Sequence, residues 1–171
     1  YYNRRTREFK WYRPQEGRNS ISHNNVKALY YDADKEIIWI GTHLGGLNKL
    51  DIRSGHFTHY RMEEGNPNTL PSDIIRDIIP YKSLLIIATQ NGVCLFDPAN
   101  GQCQQLFKDS KEGKSIKMVA DVTFDSEGTL WIAATGEGVF SYRFDTCKLT
   151  NYRHDATNPN SLSNNNVNNI T

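Results

Sequence analysis

The chain has 171 residues, 37% of them hydrophobic, with 20 Lys and Arg against 19 Asp and Glu and a formal net charge of +1. That length can bury one sizeable core without requiring a second domain, and a charge so near balance supplies no bulk field to recruit nucleic acid or an acidic membrane. No apolar run approaches the roughly 20 residues that a spanning helix needs, and the opening Tyr1-Tyr2-Asn3-Arg4-Arg5 is not of signal-peptide type, so the chain reads as an excised soluble piece with no membrane segment.

Taken in order, residues 9–13 (Phe-Lys-Trp-Tyr-Arg) line up with residues 57–61 (Phe-Thr-His-Tyr-Arg) and 149–153 (Leu-Thr-Asn-Tyr-Arg), so residues 1–13 are expected to be the last strand of a preceding unit. A polar stretch follows, then an apolar run at 26–32. Its Val26 and Leu29 correspond to Ile75 and Ile78, to Val119 and Val122, and to Val167 and Ile170, in steps of 49, 44 and 48 residues. A period of about 47 residues belongs to propellers and solenoids.

Within each period lies a hairpin. Residues 36–51 are an apolar run, a Gly-bearing break, a second apolar run and Asp51; residues 84–97 and 129–145 repeat that pattern and end on Asp97 and Asp145. The runs are short, bounded by Asn, Asp, Gly and Pro, and rich in Ile, Val, Tyr, Phe and Trp, which favours strand over helix. Apolar residues at both parities predict strands covered on both faces, as in a sheet stacked between two others. The expected first unit has strands at 26–32, 37–41, 46–51 and 57–61. Asp51 to Gly55 and Asp97 to Gly101 suit a type I turn closed by a left-handed Gly. The third unit has Cys147 rather than Gly in its outer turn, which makes its outer hairpin the least regular. The crossovers at 62–72 and 154–166 share Asn-Pro-Asn-Thr/Ser-Leu, with Leu70 and Leu162 placed to pin them against the sheets. The expected organisation is one domain over 1–171, with blades at 21–61, 70–108 and 115–153 and the first strand of another at 162–171.

These residues resemble the two-component regulator propeller repeat. The match runs through Asn25-Val26-Lys27-Ala28-Leu29, Ile38-Trp39-Ile40-Gly41-Thr42, Gly46-Leu47, Asp51, Gly55-His56-Phe57 and Tyr60. The second unit departs most, with Ile86 for Trp, Ala88 for Gly and Leu106 for Tyr. The resemblance implies an all-β fold: a partial β-propeller of about three four-stranded blades plus a lone strand at each end, part of a seven-bladed ring. It further implies the periplasmic sensor region of a hybrid two-component system of a polysaccharide-using gut bacterium. Such a parent is an inner-membrane, homodimeric histidine kinase that senses oligosaccharides and controls polysaccharide-utilisation genes through a phosphorelay.

No Gly-x-Ser-x-Gly, His-Glu-x-x-His or phosphate-cradling loop occurs, and the five histidines recur at no common repeat position. No enzyme activity, cofactor or metal is expected of this chain. Cys94, Cys103 and Cys147 form no Cys-x-x-Cys pair, and their disulfide status stays open. Trp39, Trp131 and Ile86 share one repeat position and are expected in the core. Trp11 replaces the His59, Gln105 and Asn151 of the other units and is a candidate contact residue. In propellers the loops between second and third strands, and those entering the next blade, crowd one face. This makes His43, Gln90, Asn91, Glu137, Asn24, Asn25, Asp73, Asn164 and Asn165 candidate ligand residues, although Asn at loop tips also serves turn chemistry. Two alternatives stand beside the sensor: a protein-interaction propeller without small ligand, and a propeller lyase. The terminal strands are expected to leave apolar faces open and to promote head-to-tail association through Trp11, Val167 and Ile170.

Overall fold

The computed structural model describes residues 2–110 and 113–170. After a short hairpin of β1 (Tyr2–Asn3) and β2 (Glu8–Phe9) come three four-stranded antiparallel sheets in up-and-down order. The first holds β3 (Val26–Asp32), β4 (Ile37–Thr42), β5 (Leu47–Asp51) and β6 (Phe57–Tyr60). The second holds β7 (Ile75–Tyr81), β8 (Leu84–Thr89), β9 (Gly92–Phe96) and β10 (Cys103–Gln105). The third holds β11 (Val119–Phe124), β12 (Leu130–Ala134), β13 (Gly138–Arg143) and β14 (Lys148–Tyr152). These are three blades of a β-propeller, and the chain is a partial one.

Local chemistry sets each reversal. Asp51 and Asp97 accept the amides of Gly55 and Gly101 at 2.8 Å through their carbonyls, and both glycines have positive φ (70° and 76°). The third sheet closes the same turn with Cys147 at φ 53°, so its outer hairpin is regular, with Arg143 paired to Lys148, despite the missing Gly. Each first strand carries the same bulge, between Val26 and Ala28, Ile75 and Asp77, and Val119 and Asp121. One residue slips out of the ladder there, which bends the strand and turns Lys27, Arg76 and Ala120 off the paired register.

The apolar layers lie between sheets. We call the face of a sheet turned toward the preceding one leading and the other trailing. Trp39, Leu47 and Tyr60 on the trailing side of the first sheet pack with Ile78, Ile87, Cys94, Phe96 and Cys103 of the second, with Leu70 pinning the crossover between them. Ile86, Ala88 and Val93 meet Val122, Leu130, Ile132 and Phe140 in the next layer, where Ile116 takes the place of Leu70. Ile40, Leu50 and Phe57 on the leading side of the first sheet are covered by Tyr12 and Ile21. Cys94 and Cys103 are free thiols, and burial pushes Cys94 well above the usual thiol range. Such a thiol packs as a small apolar group.

Three expectations need correction. The expected outer strand at 9–13 does not form. Instead β1 and β2 close on each other, with the rings of Tyr2 and Phe9 4.7 Å apart, and residues 10–13 belong to no strand. Nor do residues 167–170 form a strand, because a β-strand is defined by ladder bonds and no second strand of a fourth sheet is there to supply them. Trp39 and Ile86 are buried (1% and 0% exposed) but Trp131 is only half-buried, since no sheet among the described residues covers its face.

Candidate functional site

The loops joining second to third strands are tied into one belt of backbone hydrogen bonds. His43 N–H donates to the Asn25 carbonyl (2.8 Å), Gly46 N–H to Asp73 (2.9 Å), Gln90 N–H to Ile74 (3.0 Å), Met118 N–H to Gln90 (2.8 Å), and Thr135 N–H to Met118 (3.2 Å). Gly136 and Gly138 both donate to the Asn165 carbonyl, at 3.1 and 3.0 Å. Gly46 and Gly138 have positive φ, and a Cβ on either would stand 2.3 or 2.2 Å from the carbonyl oxygen of Tyr60 or Tyr152, so the belt closes only on glycine at these two places.

The belt brings the sequence candidates together and gives most of them structural work. Asp73 accepts the Met62 amide (2.8 Å) and pairs with Arg61 (3.3 Å). Its counterpart Asn165 accepts the His154 amide (2.7 Å), and Glu137 pairs with Arg153 at 2.5 Å. Asn164 caps a turn through the Asn166 amide, the Asn25 carbonyl serves His43, and Asn91 reaches the Pro71 carbonyl at 3.4 Å. Asn24, Gln90 and His43 remain: no side-chain hydrogen bond reaches them among the described residues except that His23 holds the neighbouring Asn25 amide. His43 is half-buried, and its Nδ1 is a solvent-shielded atom without a partner among the described residues. A shielded, unpaired polar atom carries a desolvation cost that a bound hydroxyl can relieve.

Beside the belt, a cleft of about 270 Å³ is lined by Arg76, Met118, Val119, Ala120, Thr135 and Asn168. Its guanidinium, hydroxyl and amide are groups that hydrogen-bond polyols. The sequence reading missed this set because Arg76 reaches the cleft from the bulge, and a slipped residue breaks the alternation by which strand faces are read. The repeated Tyr-Arg ending of the last strands (Tyr60-Arg61, Tyr152-Arg153) was the available signal for the two Arg ion pairs.

Between the first strands of the second and third sheets, the carboxylates of Asp77 and Asp121 are neighbours. Burial first, then the Asp121 charge, pushes Asp77 up to about 6. Asp77 also accepts the amides of Ile78 (2.8 Å) and Val122 (3.4 Å), and Asp121 accepts Ile170 N–H at 2.8 Å. Each carboxylate thus clasps the first strand, or its counterpart, that follows in the chain. A wider cavity, about 550 Å³, lies elsewhere, on the trailing face of the third sheet, and none of the candidate ligand residues lines it. Among the described residues no cluster of His, Cys, Asp and Glu is placed to hold a metal ion, and no helix is long and apolar enough to cross a membrane.

Residues 20–43 match the two component regulator propeller family. The fold is similar to the extracellular domain assigned to the hybrid two component system BT3049 of B. thetaiotaomicron, with TM-score 0.75 and 21% identity over 84% of this chain and 20% of that one. Less closely, it is similar to an auxiliary nutrient binding protein from Bacteroides thetaiotaomicron (TM-score 0.53, 12% identity, 75% of this chain and 30% of that one). A calcium-binding regucalcin from Agrobacterium tumefaciens is also similar (TM-score 0.50, 20% identity, 75% and 42%). No curated protein matches the chain. The chain spans about a fifth of the length of the BT3049 domain. The class is therefore a β-propeller, and the first of its three sheets carries a two component regulator propeller repeat.

Proposed function

We propose that the chain is a ligand-sensing propeller segment in the periplasmic region of a hybrid two-component sensor histidine kinase and response regulator, and that its ligand is an oligosaccharide. The observation that carries this reading is the repeat match at 20–43, supported by the likeness of fold to an extracellular two-component domain. Phosphoryl transfer belongs to other parts of such a parent. This segment contributes polar groups: His43 and Gln90 on the belt, Asn24 next to it in the chain, and Arg76, Thr135 and Asn168 in the adjoining cleft. Hydroxyl-rich ligands suit that set, because each group is a hydrogen-bond donor or acceptor.

A ligand shifts a sensor only by the difference in its affinity for two states, here two packings of the sensor region or of its protomers. Isothermal titration of the whole periplasmic region against a panel of plant and host oligosaccharides tests the reading. One class of glycan is expected to bind, and His43→Ala, Gln90→Ala and Arg76→Ala are expected to weaken it about tenfold each, which is about 1.4 kcal/mol. Silence across a broad panel refutes the sensor reading.

A further inference from the structure

The three first strands slip one residue out of the ladder at the same place, and the next counterpart in the chain is Asn168, so Lys27, Arg76, Ala120 and Asn168 share one position of the repeat. The cleft of about 270 Å³ beside the belt depends on the third of these being alanine. Ala120 presents a methyl group where the first strands of the other two sheets carry long cations, and Arg76, Thr135 and Asn168 border the space that is left. Its volume falls just below the roughly 300–1,000 Å³ of pockets that hold drug-sized molecules, which limits it to about one sugar residue. Charge sets this cleft apart from the rest of the surface. Among the arginines beyond residue 18, Arg53 pairs with Glu36, Arg61 with Asp73, Arg143 with Asp145 and Arg153 with Glu137. Arg76 is half-buried and has neither an ion pair nor a side-chain hydrogen bond among the described residues. No carboxylate lines the cleft, and the two adjacent in the chain, Asp77 and Asp121, are engaged by the amides of Ile78, Val122 and Ile170. A guanidinium cannot shed its charge, and partial burial strips it of water, so an incoming anion relieves a cost that a neutral ligand leaves in place.

We infer that the cleft is an anion subsite and that its ligand is a saccharide residue bearing a carboxylate. Arg76 takes the two carboxylate oxygens through its planar fork, which meets a planar carboxylate edge to edge. The Thr135 hydroxyl and the Asn168 amide, which also make no side-chain hydrogen bond among the described residues, serve the neighbouring sugar hydroxyls. Met118, held at φ 47° and 48% exposed, gives the cleft an apolar edge for the carbon face of the ring. Lys27, exposed at the same repeat position one sheet earlier, adds a second cation that draws acidic chains toward the belt. This rests on the oligosaccharide reading above and narrows it to acidic sugars.

Titration calorimetry of the whole periplasmic region tests it, with a panel of uronate oligosaccharides that includes digalacturonate, each paired with its neutral methyl ester, and with tricarballylate as an anion that is not a sugar. The wild type is expected to bind one acidic saccharide at least about tenfold more tightly than its ester, an advantage that shrinks as salt is raised. Arg76→Gln is expected to remove the preference by weakening the acid and leaving the ester unchanged, Arg76→Lys to keep part of it, and Ala120→Leu, which fills the cleft, to weaken both. Equal binding of acid and ester by the wild type overturns the inference whether or not any variant folds, and so does a preference for the acid that survives Arg76→Gln. Tighter binding of a sulfated galactose than of every uronate overturns the choice of carboxylate. Binding of neutral oligosaccharides alone overturns the inference and leaves the sensor reading standing. Binding of tricarballylate that depends on Arg76, with every saccharide silent, refutes the oligosaccharide reading and leaves the anion subsite standing. Silence of every anion overturns the subsite itself.

Discussion

Replacing Asp77 by Asn should flatten the dependence of stability on pH between about 4 and 7. The carboxyl is held near pKa 6 in the fold against 3.8 for the free group, by burial and by the Asp121 charge. Between those values the folded chain binds more protons than the unfolded one, so stability is greatest at the acid end of the window and is lost as pH rises through it. The shift of about 2 units corresponds to about 3 kcal/mol at 1.36 kcal/mol per unit, and partial solvent access to Asp77 reduces this to about 1–2 kcal/mol. An amide at 77 has no charge to lose, donates to Asp121, and retains one oxygen for the Ile78 or Val122 amide. The carboxylates that the fold favours ionised, Asp32, Asp51, Asp125, Asp145 and Asp155, are lowered from 3.8 and lose their contribution only at more acid pH. They therefore leave the upper part of the window to Asp77 and to groups common to both proteins. Urea unfolding followed by tryptophan fluorescence, at about pH 5 and about pH 7.5, isolates the site as the difference between wild type and variant. The wild type should lose about 0.5–1 kcal/mol more than Asp77→Asn on going to the higher pH, since about half of the linkage lies above pH 5. Identical pH dependences, within a few tenths of a kcal/mol, refute the argument that the clasp is a strained carboxylate pair.

Cys147→Gly should stabilise the chain by about 0.5–1 kcal/mol, because Cys147 holds a left-handed φ of 53° at the turn position that is glycine in the other two sheets; a urea midpoint raised at constant m-value checks it. Trp39→Ala should cost about 3–5 kcal/mol, since the ring is 1% exposed and touches Phe96 and Tyr60, whereas Trp131→Ala in the same chain should cost well under half as much. Equal losses by chemical denaturation would contradict the difference in burial between the two.

The sequence by itself determined the repeat, the strand type and the turn chemistry, because these rest on local rules. Alternating and continuous apolar runs, Asp at position one and Gly at position five of a turn, and a fixed interval between Val26, Ile75, Val119 and Val167 are legible from residue order alone. The first sheet accordingly forms within a residue or so of the strands expected from it. The loop face was legible too, as a place, since His43, Gln90 and Glu137 stand in the same loop of the repeat, between second and third strands. Their roles were not: Glu137 is spent on Arg153 and Asp73 on Arg61, while Arg76 enters the neighbouring cleft from a bulge that no pattern of alternation announces.

What only the tertiary structure decided is which groups meet across sheets. Trp39 and Trp131 are the same letter at the same repeat position, yet one is buried and the other half-open, because burial depends on what lies against a face and not on the strand that bears it. The segments at 10–13 and 167–170 match strand repeats and still form no strand, since ladder bonds require a neighbour that local sequence does not supply. Asp77 and Asp121 lie in different sheets and become neighbours only when the first strands stack, at which point burial and the Asp121 charge raise the cost of the Asp77 charge. Local propensity writes each blade, and the contacts between blades, which are long-range and conditional on packing, write its chemistry.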